Sequence, residues 1–379
     1  TGSYQVALGA NALAANTTAS GNTAVGYAAL ATSTTATGNT AVGAEALTVA
    51  TGSNNTAVGH DSMKANTSGQ GNTALGMNSL DANTTGNYNV ALGRDALGAN
   101  TTGANNIAIG VGALSTQTTG GDSNVAVGHF SLENNTTGDN CVAVGTWALN
   151  DNTTGGSNVA IGYNALALNT TGAQNVAVGR GALDANTTAS NNTAIGYNAL
   201  TASSGAENTA LGSSALGTNT TGAHNTAIGV NALLVNTTGN YNTSVGEFAL
   251  DANTGGEYNT AVGYDALTAI TTGDRCTAVG VFALTANTGT YNTAVGMYAL
   301  AANTSAQFNV AMGYEALAAN TTGEYNVAIG NNALDANTTT SNCTAVGYGA
   351  AGANTTNRTT AVGYNALAAN TTGGDNTAV

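Results

Sequence analysis

Asn158-Val159-Ala160-Ile161-Gly162-Tyr163-Asn164-Ala165-Leu166-Ala167-Leu168-Asn169-Thr170-Thr171-Gly172 is one copy of a unit that fills the chain. Its glycine, Gly162, recurs from Gly9 to Gly363 at a spacing of 17 residues, apart from four gaps of 16 and one of 18. A fixed short period over a whole sequence marks a solenoid, in which each repeat buries its apolar residues only against its neighbours. The 379 residues therefore read as one continuous array, 1–379, and not as two or three globular domains. The expected fold is all-β, a parallel β-solenoid of about 22 coils with a 17-residue period.

Thr/Val, Ala and Val/Ile alternate at the head of the unit, as strand residues do. The first and third positions take large side chains, as at Ile107/Ile109, Val125/Val127 and Val310/Met312, while the middle one is alanine except at Ser244. The expectation is that the large face fills the coil's own core. The tiny face, with Ala160, Ala177 and Ala328, would then meet another chain at close range. After the glycine, Ala-Leu places a leucine in the core, and a second strand is expected there in preference to a helical turn. Asn-Thr-Thr-Gly is turn chemistry, and its asparagines are expected to stack into amide ladders along the coils.

Composition narrows the function classes. The chain has 52 Gly, no Pro, three Cys, and only five Lys and Arg against nineteen Asp and Glu, for a formal charge of −14. So few cations argue against nucleic acid, whose phosphates need Lys and Arg. No apolar run is long enough to span a bilayer, so this segment is expected not to insert into a membrane. Cys141, Cys276 and Cys343 share one place in the unit, just before the strand, where Asn is usual. They are eight and four repeats apart, roughly 38 and 19 Å at one strand spacing per coil, too far for a disulfide within the chain. They read as ladder substitutions or as inter-chain contacts. Begun and ended mid-unit, with Thr1-Gly2-Ser3 as the tail of a turn, the array is expected to be a segment of a longer fibre.

Val159-Ala160-Ile161-Gly162, Ile107-Ala108-Ile109-Gly110 and Val327-Ala328-Ile329-Gly330 resemble the core motif of YadA-like trimeric autotransporter adhesin heads. The Asn-Thr-Ala-Val-Gly-Tyr…Ala-Leu…Asn-Thr-Thr-Gly arrays are also similar to the shafts of phage tail fibres. The resemblance covers the whole chain and lies in the repetition. It implies a left-handed β-roll, a homotrimer, and an extracellular place on a cell surface or virion. The period here is a few residues longer than in the adhesin heads.

No catalytic constellation is visible, and no enzyme activity, metal or cofactor is expected: His60, His129 and His224 sit in different copies without a second ligand at metal spacing. Aromatic residues form two stripes. One follows the glycine and includes Trp147, Tyr163, Tyr197, Tyr264, Tyr314, Tyr348 and Tyr364; it is the candidate contact for a host-surface glycan or protein receptor. The other precedes the strand's Asn, as at Tyr241, Tyr258 and Tyr291. The Asn-Thr-Thr turns match the N-glycosylation sequon as well as a turn. Threonine rows would suit an ice surface, but the strand threonines are expected to face inward. The expected role is a structural and adhesive fibre that mediates attachment. Its alternatives are a filament polymerised end to end and a monomeric carbohydrate-binding β-solenoid.

Overall fold

The computed structural model describes residues 3–379; Thr1 and Gly2, part of the expected turn tail, lie outside it. The chain is an all-β parallel β-solenoid of about 22 coils with no helix among the described residues. Contacts divide it into two units, Thr1–Asn191 and Asn192–Val379. The first carries strands β1 (Val6–Leu8) to β11 (Val176–Val178), and the second β12 (Thr193–Ile195) to β23 (Thr377–Ala378).

Within each unit every strand pairs in parallel with the next, one coil on. In β10 (Val159–Ile161), Ala160 lies between Ala143 and Ala177. The 16- and 18-residue coils keep this register, Thr40 meeting Thr56 and Ile107 meeting Val125, because the turns absorb the difference. Backbone bonds between coils continue beyond the strands. Gly162 donates to Val144 O at 2.8 Å, Leu166 to Ala182 O at 2.8 Å and Thr170 to Thr187 O at 2.7 Å. Nearly the whole coil thus serves as a ladder, satisfying the backbone groups that so thin a body cannot hide from its own interior.

The interior reverses the expected orientation of the strand. Ala160, Ala177 and Ala328 are fully buried inside the coil, and the flanking Val, Thr and Ile residues face outward, half-buried or exposed. The alanine row is not an inter-chain surface. Ser244 shows why the position is small: its hydroxyl is buried and donates across the coil to Ala249 O at 2.7 Å. The opposite wall is so close that one extra side-chain atom reaches it. Leucine, entering from that wall, fills what space remains; Leu166 is wholly buried.

The Ala-Leu segment is not the second strand expected. Asn164 and Leu166 both have left-handed backbone, φ 54° and 52°, with Ala165 between them. This alternation curls the chain so that Ala165 and Leu166 can both be buried, whereas an extended pair would point apart. A left-handed leucine costs about 1–2 kcal/mol, which its complete burial offsets by roughly as much. The corner glycine has no such freedom to vary. At Gly162, φ is 133° and a Cβ would stand 2.7 Å from the carbonyl of Gly179 in the next coil.

Two asparagine ladders complete the interior. The strand-entry Asn158 accepts from the Asn175 amide at 2.9 Å and donates Nδ2 to Gly172 O at 2.8 Å. The turn Asn169 donates Nδ2 to Asn152 Oδ1 at 2.7 Å and to the same Gly172 O at 2.9 Å. The turn ladder is as expected from the sequence; the strand-entry ladder is a second one, and the two converge on one carbonyl per coil.

Candidate functional site

The outward strand residues form two columns along each unit's sheet, one of Thr, Val or Ile and one of Val, Ile, Leu or Met. Neither column contains a charged residue, and side chains such as Ile107, Ile161 and Ile228 are more than a third exposed. The strand threonines, expected to face inward, belong to this outward face. Every strand from β12 to β18 (Thr293–Val295) opens on one. These seven hydroxyls have no hydrogen-bond partner among the described residues.

The aromatic candidates lie at the exposed corner after the glycine. Tyr163, Tyr197, Tyr264, Tyr314, Tyr348 and Tyr364 immediately follow it and are exposed. Trp147 stands one residue later, at φ 56°, and meets Tyr163 edge-on at 5.6 Å. The Arg180 guanidinium lies 5.7 Å from the Tyr163 ring. Tyr348 and Tyr364 stack at 5.4 Å. The structure therefore spreads these residues as local pairs along a corner and does not gather all of them into one patch. The negative charge of Asp265 pushes the Tyr264 phenol above its ordinary value, and a hydrogen bond to Glu315 does the same to Tyr314.

The second stripe is more continuous than sequence reasoning recognised. His224 stacks on Tyr241 at 4.7 Å, and Tyr241 on Tyr258 at 5.1 Å. The Arg275 guanidinium then lies between Tyr258 and Tyr291, at 5.3 and 5.6 Å from the two rings. Tyr291, Phe308 and Tyr325 continue the stack at 5.0 and 5.1 Å. His224 and Arg275 were legible as members only through their position two residues before the strand. Glu207 extends the row at one end, 3.0 Å from His224 Nδ1. Because each ring faces another, the row presents its edges to solvent.

The cysteines are not an outer contact. Cys141, Cys276 and Cys343 are free and fully buried, pointing into the coil where the ladder Asn would be. Cys141 Sγ takes over the Asn role of donating to the turn, reaching Gly155 O at 3.3 Å. Burial first, with the charge of Asp139 adding to it, pushes this thiol up to about 11 from 9.0. The expected inter-chain role fails because a buried, protonated thiol cannot reach another chain. The turn asparagines are likewise closed to glycosylation in the folded coil. The Nδ2 that a sugar would occupy is the ladder donor, and Asn152, Asn169 and Asn186 are fully buried.

His60, His129 and His224 remain in separate coils; His60 Nδ1 approaches only its neighbour Asp61, at 3.0 Å. No group of three His, Cys, Asp or Glu side chains able to hold a metal occurs among the described residues. No family model matches the chain, and no curated protein matches it.

Proposed function

We propose that the chain is a structural and adhesive extracellular fibre segment, assembled as a homotrimer through the outward strand face. The observation that carries this reading is the pair of uncharged, half-exposed columns along each unit's sheet. The column of exposed Val, Ile, Leu and Met, with no charge beside it, is apolar surface of the kind that marks an interaction site. Its natural occupant is a second and third copy of the chain, because parallel copies about one axis match rung for rung. The net charge of −14 lies off these columns, so copies approach without burying a charge. Attachment then falls to the exposed corners and walls, whose candidate partner is a host-surface glycan or protein.

Light scattering on the native particle tests this. The expected mass is three times 36.7 kDa. Replacing Val144, Ile161 and Val178 together by Lys is expected to lower the mass while leaving the circular dichroism unchanged. Ala160→Arg is instead expected to unfold its coils, since that side chain points inward. A single-chain mass for the unaltered protein overturns the trimer, and a very large polydisperse one favours the end-to-end filament.

The seven successive outward threonines of β12 to β18 favour a second reading, binding to ice. A regular rank of unbonded hydroxyls beside β-branched methyl groups presents a repeat of roughly 4.8 Å that ordered water could follow. It requires a free strand face, so a trimeric mass or an absence of thermal hysteresis excludes it.

A further inference from the structure

We propose that the wall of the second unit between Phe282 and Ala368 is a groove for a neutral oligosaccharide. The wall is built from the residue two after each corner glycine and from the two after each core leucine. It is separated from the outward strand face by the glycine corner, so both surfaces are usable at once. Two recesses lie along it. The first is lined by Phe282, Thr285, Tyr298, Ala301, Ala302 and Ala318. The second begins one coil further on, with Asn332, Asp335, Gly349 and Gly352 among its walls.

The floor is specific to this stretch. After the core leucine most coils carry at least one longer side chain, as at Lys64, Asn134, Leu168 and Val235. From Ala301 to Ala369 these positions hold only alanine and glycine, with Asp335 as the one exception. The open length is roughly 20 Å at one strand spacing per coil, enough for a short oligosaccharide.

The chemistry of the walls points to a sugar. Phe282 and Tyr298 stack at 5.2 Å with planes 8° apart, so their ring faces look along the coil axis. The next coil offers no ring to cover the second face of Tyr298, because Glu315 stands at that position. A half-exposed aromatic ring lining a recess with an alanine floor suits the apolar face of a pyranose. Carboxylates and amides follow for its hydroxyls. Glu315 Oε2 is held by Asn332 Nδ2 at 3.2 Å. Asp335 uses Oδ1 to accept from the Ala336 amide at 3.1 Å, leaving Oδ2 without a partner among the described residues. Hydroxyl donors to a carboxylate form charge-assisted bonds. With Asp335 the one charged residue of the two linings and Glu315 held beside them by Asn332, an acidic sugar is repelled and a neutral one is selected.

This proposal rests on the adhesive reading but fails separately from it, since the mass measurement is blind to sugar. The test is calorimetry of the full chain with maltohexaose, cellohexaose and mannohexaose, and with hexagalacturonate as the acidic control. At least one neutral hexasaccharide is expected to bind, and hexagalacturonate not to. Tyr298→Ala and Asp335→Ala are each expected to weaken binding about tenfold or more. Ala302→Trp, which fills the half-exposed floor without entering the core, is expected to abolish it. Tyr88→Ala, in the first unit, is expected to change nothing. Failure of all three neutral sugars to bind, preference for the acidic one, or binding that survives the three groove substitutions overturns the proposal.

Discussion

Cys141 shows what a single ladder position contributes. Its backbone amide still donates to Asn124 Oδ1 at 2.8 Å, but the following Asn158 amide finds sulfur, a weak acceptor, where other coils offer an amide oxygen. Cys141→Asn restores a strong acceptor and a strong donor at once, so it is expected to stabilise the fold by about 1 kcal/mol, read as a higher urea midpoint. The thiol also makes stability depend on pH. Its folded value is raised, so the folded state holds its proton in a range where the unfolded state has lost it. The contribution is therefore intact below pH 9.0 and is lost as pH rises toward about 11. Over that window the protein is expected to lose about 2–3 kcal/mol relative to Cys141→Asn, which lacks the titration. A flat difference between the two urea series would contradict this. In the sequence the cysteines shared a position with the ladder Asn. What the sequence did not reveal was the direction that position faces, because inward and outward differ only by the strand's neighbours in space.

At the scale of the coil, the turn asparagine is the most densely used side chain. Asn169 donates to Asn152 Oδ1 and Gly172 O and accepts from Asn186 Nδ2 at 3.0 Å, all within a buried interior. Asn169→Ala removes these bonds and leaves buried polar partners on both neighbouring coils. The expected cost is about 2–4 kcal/mol, larger than for Thr171→Ala on the same turn, whose side chain is exposed; chemical denaturation of the two variants compares them. Asn-Thr-Thr-Gly was legible as turn and ladder because its chemistry is local. The strand was legible as a strand, and its two faces as large and tiny, but not which face turned inward. That choice depends on the opposite wall. There the left-handed Leu166 brings a large side chain into the interior and leaves the strand room only for alanine. A leucine with positive φ has no sequence signature of its own, so the same residues read as a second strand. The groove beside Tyr298 was hidden for a related reason. Its parts come from successive coils, and a stripe of aromatics in sequence does not say where a stack ends beside a recess.

At the scale of the whole chain, stability within a unit is a sum of coils and of the contacts between adjacent coils. The interior rungs of the first unit make the same pairings above and below, as Ala160 does with Ala143 and Ala177. Removing one full coil, residues 158–174, joins Ser157 to Asn175 and brings β9 (Val142–Val144) against β11 in unchanged register. Both asparagine ladders close again, with Asn152 meeting Asn186 in place of Asn169. Such a deletion is expected to leave a folded protein whose melting temperature shifts by only a few degrees. Removing Val159 alone is a smaller change in mass but a larger one in structure. It moves Ala160 to the outward position and Ile161 into an interior that admits only alanine, since the side-chain period of a strand is two. That variant is expected to lose the cooperative melting of the coils around it. Circular dichroism melts of the two deletions side by side decide the matter. If the 17-residue deletion unfolds the chain while the single-residue deletion does not, stability resides in some element outside the repeat, and the nearest-neighbour account of this solenoid is wrong.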